Sequence, residues 1–264
     1  MRESIRALLD QLRLHGMAAC LEDVLSHAEK HGTALGDVLI ELLEIEHRYQ
    51  QERRLEGRMK RAKLPWPWTI DTFPFTNQPG VNKAQIMGLA KLTFIERKDN
   101  LIFIGKTGTG KSGIAMGLLR LALLNGFRGR FYNAQDMLNE LYTSLADRKT
   151  SKLLNTLSSY DILVIDELGY LTLTSEQINI FFKLIDMRYQ KKATIITTNL
   201  DFEAWYDVFK HKELVDAMLD RLQHNSTVIR IDGPSLRAPK REEQPKKKKQ
   251  DSVPQSQQGE LNEI

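Results

Sequence analysis

Two amphipathic stretches open the chain. In ESIRALLDQLRLHGMAACLEDVL, Ile5, Leu8, Leu9 and Leu12 recur at three-to-four spacing, the stripe of a helix with one apolar face. Gly16 is expected to interrupt it. A second helix is marked by Leu35, Val38, Leu39, Leu42, Leu43 and Ile45, and its apolar positions fade toward Lys63. PWPWTIDTFPFTNQPG ends the helical pattern, because Pro65, Pro67, Pro74 and Pro79 exclude a continuing helix. The period then changes. NLIFIG, GRFYN, YDILVIDE, KATIITTN and STVIRID read as strands, and YDILVIDE has the near-continuous apolar run of a strand buried on both faces. Helices are expected at Lys111 to Leu124, Ser175 to Tyr189 and Glu213 to Gln223, with a helical or mixed segment from Ala134 to Leu157. Strands alternating with helices predict an α/β fold, a parallel sheet covered by helices on both faces.

The pattern divides the chain into a helical N-terminal module (1–63), a linker (64–80), a main domain (81–233) and a tail (234–264). The tail is rich in Pro, Lys, Gln and Glu and nearly free of apolar residues, so disorder is expected there.

Composition narrows the class. With 264 residues, 41% hydrophobic and 27% charged, the chain has room for one large globular domain and a smaller one. No apolar run is long enough to span a membrane; the segment from Gly113 to Leu124 is broken by Arg120. MRESIRALLD lacks a signal-peptide core, and a cytoplasmic location is expected. The single cysteine, Cys20, excludes a disulfide within the chain and a multi-cysteine zinc site.

A net charge of +4 alone does not argue for nucleic acid, so its placement matters. Between Arg48 and Lys63, seven basic residues (Arg48, Arg53, Arg54, Arg58, Lys60, Arg61, Lys63) stand against Glu52 and Glu56. LADRKTSKLL adds Arg148, Lys149 and Lys152, and the tail adds Lys246 to Lys249. Such clusters suit phosphate contacts on DNA, and they also suit a solvated helix, a surface loop and a non-specific tail. No helix-turn-helix or zinc-finger pattern is present, so any DNA binding is expected to tolerate sequence.

The sharpest chemical signal is GKTGTGKS, Gly105, Lys106, Thr107, Gly108, Thr109, Gly110, Lys111 and Ser112. A strand precedes it and a helix follows, the context of a loop that wraps nucleotide phosphates. Its glycines let backbone N–H groups approach phosphate oxygens, and the helix dipole points at the same anions. Lys111 can reach the β- and γ-phosphates, and Ser112 can hold Mg²⁺. Asp166 emerges from ILVIDE at the carboxyl edge of a buried strand, placed to hold Mg²⁺ through a water. Glu167 beside it can polarise an attacking water, which favours hydrolysis over transfer. Asn199, after ATIITT, either orients that water or caps the helix beginning near Phe202. Arg221, in DAMLDRLQH, reads as a surface ion pair with Asp216 or Asp220, or as a residue reaching a neighbour's site in an oligomer.

Together these elements resemble the IstB-like ATP-binding proteins, transposition helpers of insertion sequences related to the DnaC helicase loaders and a branch of the AAA+ ATPases. The resemblance runs from Met1 to Arg237. It is carried by LDQLRLHGMA, TFPFTNQPGVNKAQIMGLA, GKTGTGKS, LVIDELGYL, FFKLIDMRYQKKATIITTNLDFEAW and LVDAMLDRLQHNSTVIRIDG. It implies a P-loop AAA+ domain with ATP and Mg²⁺ as cofactors, Asn199 as a sensor and Arg221 as an arginine finger. It also implies assembly on double-stranded DNA as a homo-oligomer, with sites completed between subunits and a transposase as partner. A replicative-helicase loader is the alternative, and a small-molecule kinase a more distant one. The stretch from Asn199 to Gly233 is too short for a full helical lid, which leaves Arg237 as the one second-sensor candidate. Lys106 departs from the small residue or proline expected there and should point to solvent. LADRKTSKLL falls where AAA+ initiators carry a helical element lining the DNA path.

Overall fold

A computed structural model describes residues 2–169, 171, 173–209 and 211–237. Three helices open it: α1 (Arg2–Gln11), α2 (His15–His31) and α3 (Leu35–Ala62). The first break falls at Arg13, whose φ of 60° is left-handed, and not at Gly16. Gly16 lies inside α2 at a close crossing with α3, where a Cβ would stand 2.7 Å from Cβ of Tyr49. Leu9, Met17, Leu21, Val24, Val38 and Leu42 form the small core of this module. Leu8, Leu12, Leu35, Leu39 and Leu43, from the same stripes, stay exposed.

The main domain adds thirteen further helices and strands, and the first ten follow α3 in order. They are α4 (Lys83–Leu89), α5 (Thr93–Arg97), β1 (Asn100–Gly105), α6 (Lys111–Leu124), β2 (Gly129–Asn133), α7 (Ala134–Ala146), α8 (Thr150–Ser159), β3 (Ile162–Asp166), α9 (Ser175–Arg188) and β4 (Ala193–Thr198). Then come α10 (Trp205–Phe209), α11 (Lys212–Gln223) and β5 (Ser226–Ile231). The segment from Ala134 to Leu157 is two helices, separated at Asp147–Lys149 with Arg148 at φ 53°. The five strands form one parallel sheet in the order β2-β3-β4-β1-β5. β4 therefore lies between β1 and β3, which brings the ends of all three to one edge.

Each face of the sheet has its own core. One is built on Ile102, Leu163, Ile165 and Ile196 with α7, α9, α10 and α11, and Trp205 and Phe209 are buried in it. The other is built on Leu101, Phe103, Val164 and Ile195 with α6. Residues 64–80 are not a free linker. Ile70 and Phe73 are buried in the second core with Ala62 of α3, and Trp68 packs on it. Proline excludes a continuing α-helix there, leaving only a 3-10 turn at Phe75–Asn77, but it does not exclude packing. Arg58 of α3 donates to the Leu123 carbonyl at 3.0 Å, and Arg130 of β2 donates to the Arg61 carbonyl at 2.7 Å. The helical module is thus keyed into the main domain through the last turns of α3. Beyond β5 the described residues, 232–237, form no helix.

Residues 234–237, expected in the tail, also pack. Leu236 joins the second core, and its N–H donates to the Gly108 carbonyl at 2.8 Å. The rest of the tail, with Lys246 to Lys249, lies outside the described residues. No helix among the described residues is long and apolar enough to cross a membrane.

Candidate nucleotide site

The loop between β1 and α6 is built by its two left-handed glycines, Gly108 at φ 86° and Gly110 at φ 94°. A Cβ at Gly110 would stand 2.7 Å from the Phe73 ring, so this position needs glycine for space as well as for backbone. Gln78, fully buried, fastens the loop from outside: its Nε2 donates to the carbonyls of Thr109 (3.1 Å) and Pro234 (2.8 Å). Gly105, Lys106, Thr107 and Thr109 complete the turn. Lys106 is exposed, as expected, while its carbonyl accepts from Thr109 Oγ1 at 2.8 Å. Lys111 begins α6, and its ammonium donates to the carbonyls of Gly105 (2.6 Å) and Lys106 (2.8 Å). Burial pulls this ammonium below the usual lysine range, against the attraction of Asp166 and Glu167, and Arg237 pulls the same way.

Asp166 is buried at the end of β3. Burial pushes its carboxyl upward, and hydrogen bonds from Thr197 and Ser112 work in the opposite direction. The Thr197 hydroxyl donates to Oδ1 at 2.5 Å. The same hydroxyl accepts from the Glu167 N–H at 3.0 Å, while Leu168 N–H donates to the Thr197 carbonyl at 2.9 Å. These bonds hold Glu167 at φ 60°, a left-handed conformation that costs a glutamate about 1–2 kcal/mol. The turn swings the Glu167 side chain to the sheet edge. There Nδ2 of Asn133 donates to its Oε2 at 3.2 Å. Asn133 pairs in register with Asp166, and its Oδ1 accepts from the Gln135 N–H at 3.0 Å, capping α7.

Asn199 follows β4 and lies against Gly169, whose added Cβ would meet Asn199 Oδ1 at 2.1 Å. It does not cap the next helix; Asp201 holds that position. A cavity of about 750 Å³ joins these parts. It is lined by the polar groups of Thr107, Gly108, Gly110, Lys111, Ser112, Asn133, Glu167 and Asn199 and by the apolar side chains of Trp66, Trp68, Pro74, Met116 and Leu236. Asn77 and Arg237 also line it. The donor set fits a polyphosphate with a hard cation: loop N–H groups and an ammonium for the anion, a hydroxyl bonded to a carboxylate for the metal. Among the described residues no group of three or more His, Cys, Asp or Glu could hold a metal ion by itself.

A family model described as IstB-like ATP binding protein matches residues 7–244. The chain belongs to this family. An ATP-binding protein of insertion sequence IS232 from Bacillus thuringiensis subsp. berliner is 34% identical over 229 residues, 87% of this chain and 92% of that protein. Another, of IS5376 from Geobacillus stearothermophilus, is 34% identical over 249 residues, 94% of this chain and 99% of that one. Among solved structures, a crystal structure of the DnaC helicase loader superposes with a TM-score of 0.55 at 26% identity, covering 65% of this chain and 100% of that chain. This IstB-like protein thus has the P-loop AAA+ fold expected from its sequence.

Not every expected residue gathers at the IstB-like site. Arg221 does not line the cavity. It pairs with neither Asp216 nor Asp220: Nε donates to Asp186 at 2.7 Å, and Asp216 accepts instead from the Tyr206 hydroxyl. Among the basic candidates, Arg48, Arg53, Arg54, Lys60, Arg61 and Lys63 are exposed on α3 or at its end. Arg58 is engaged with the Leu123 carbonyl and caps α6, so it serves packing rather than a free basic face. Arg148, Lys149 and Lys152 are exposed at the α7–α8 turn and on α8, with Lys149 3.5 Å from Asp147. Asn133, Gln78, Thr197 and the two tryptophans were not expected at the site. For Asn133 the readable signal is its place at the carboxyl end of a strand, the same place that marks Asp166.

Proposed function

We propose that this protein hydrolyses ATP with Mg²⁺, assembles as a homo-oligomer on double-stranded DNA with little sequence preference, and regulates a partner transposase. One observation carries the hydrolytic part: Asp166 and Glu167 are adjacent carboxylates in different environments. Asp166 is buried and bonded to Thr197 and Ser112, the arrangement of a metal-side carboxylate. Glu167 is turned out to the cavity edge beside Asn133, where it can take a proton from water. Bound Mg²⁺ neutralises charge on the phosphates. Lys111 exchanges its two carbonyl partners for phosphate oxygens, Asn199 orients the water, and the apolar side chains of Trp68 and Met116 are available to pack on the base.

The insertion-sequence relatives support the transposition setting, and the exposed basic face of α3 and the α7–α8 turn support DNA. Arg221, held outside its own cavity, supports a site completed by a neighbour. The test is ATP hydrolysis and sedimentation with and without duplex DNA. Hydrolysis stimulated by DNA and ATP-dependent assembly are expected, both lost in Lys111→Ala. A protein that stays monomeric with ATP and DNA would sink the reading. The likeness to the DnaC loader favours one second reading, a helicase loader. Capture of a replicative helicase in place of the transposase would establish it.

A further inference from the structure

Arg221 is restrained by three different groups. Asp186 on α9 accepts from Nε at 2.7 Å, and the Ala217 carbonyl, one turn back on α11, accepts from Nη1 at 2.9 Å. The guanidinium lies over the Phe182 ring, 4.9 Å from its centre. Asp186 and Phe182 are four residues apart on α9, so one helix face supplies both the acceptor and the platform. Of the five N–H groups of the guanidinium, two are used. Both N–H groups of Nη2 are without a partner among the described residues. The Arg221 side chain is 28% exposed, less than Asp186 at 51%, so the arginine is seated and not loosely paired. An exposed ion pair of this kind adds little to stability, whereas the planar fork fixed in this way is ready for an anion.

We propose that Asp186 and Phe182 are positioning residues, which hold Arg221 with its Nη2 edge free for the terminal phosphate bound by a second copy of this chain. This rests on the reading of Arg221 as a residue that completes a neighbour's site. Holding the guanidinium in advance removes the cost of ordering a long side chain when the subunits meet.

Mixed assemblies test it. Arg221→Ala has an intact nucleotide site but no finger; Lys111→Ala has an intact finger but no working site. Each alone is expected to be nearly inactive, and a mixture on DNA should recover hydrolysis. A donor carrying Lys111→Ala with Asp186→Ala should recover at least about 10-fold less, and one with Phe182→Leu should fall in between. Asp186→Ala alone should lower kcat by a similar factor, with KM for ATP within about twofold of wild type, and Asp186→Glu should restore part of the loss. If the Asp186→Ala donor recovers as much activity as the plain Lys111→Ala donor, the proposal is overturned and the finger reading stands. If Arg221→Ala alone keeps wild-type kcat, the finger reading falls and the proposal with it. Asp186→Asn, which keeps the shape of the side chain, serves as donor if the alanine variant does not fold.

Discussion

The side chain of Asn133 ties the N-terminus of α7 to Glu167. Its Oδ1 accepts from the Gln135 N–H at 3.0 Å and its Nδ2 donates to Glu167 Oε2 at 3.2 Å. The first bond fixes which end of the amide faces the carboxylate. A carboxylate oxygen engaged by Asn133 is not free to accept from a water, so Asn133 restrains the residue proposed to activate it. Asn133→Ala is expected to raise kcat about 3- to 10-fold, with KM for ATP little changed, and to cost about 1 kcal/mol through the lost cap. Asn133→Ser keeps a capping hydroxyl and separates the two effects. A fall in kcat in both variants would show that the bond orients Glu167 productively.

Asp166 is held where its charge is costly until a cation is present. Burial raises its carboxyl, and Glu167 beside it adds repulsion. Asp166→Asn removes that charge while keeping an acceptor for Thr197. The ligand-free protein should therefore melt about 2–4 °C higher, the shift that about 1 kcal/mol produces in a domain of this size. The gain in Tm that ATP and Mg²⁺ give the wild type should disappear in the variant. Differential scanning fluorimetry reads both effects. A lower Tm without ligand would mean that the Asp166 charge is already well solvated.

Gly110 is constrained twice, by its φ of 94° and by the Phe73 ring behind it. Gly110→Ala should lose about 1–3 kcal/mol, from left-handed strain and from pushing Phe73 out of the second core. Phe73→Ala in the same background opens the space but not the backbone. The double variant should recover nucleotide affinity only in part, as fluorescence titration with ATP would show. Full recovery would assign the whole constraint to the ring.

β1, β3 and β4 were legible as short apolar runs between polar breaks, and the phosphate loop as glycines between such a run and a helix. Asp166 and Glu167 stand where such a run ends. What was not legible depends on neighbours. Gly16 reads as a helix breaker in isolation, yet it serves a close helix crossing with Tyr49. Four prolines between 64 and 80 forbid a continuing α-helix and say nothing of Ile70 and Phe73, which are buried. Leu8, Leu12, Leu39 and Leu43 satisfy the periodicity of a buried face but are left uncovered, since periodicity does not measure how wide the covering surface is. Gln78 and Asn133 act through carbonyls and carboxylates far away in sequence, so no local pattern marks them. For Arg221 the sequence offered two readings, an ion pair with Asp216 or Asp220 on its own helix or a role at a neighbour's site; the ion pair it makes is with Asp186 on α9.

Arg188 and Asp161 give the molecule a pH signature away from the site. Arg188 is 1% exposed, and its guanidinium donates to Thr194 Oγ1 (3.0 Å) and to the carbonyls of Leu157 (2.8 Å), Tyr160 (3.0 Å) and Ala193. Burial pulls it down to about 9, still charged at neutral pH, and Asp161 opposes that pull. Burial alone would raise the Asp161 carboxyl, but hydrogen bonds from Lys192 (2.6 Å) and the Arg128 N–H (2.8 Å) outweigh it and leave the group below its usual range. A carboxyl lowered in the folded state stabilises the fold above its unfolded pKa of about 4, and that stability is lost as pH falls through the folded pKa. Asp161→Asn should thus cost about 1–2 kcal/mol at pH 7, and the gap to wild type should shrink as pH falls below about 4. Arg188→Lys, which cannot reach all four acceptors, should cost about 2–4 kcal/mol at pH 7 and at pH 4 alike, because neither side chain titrates there. Urea unfolding at the two pH values separates them. A pH-independent deficit in Asp161→Asn would mean that hydrogen bonds a neutral carboxyl can also accept, and not its charge, hold the β3 entrance together.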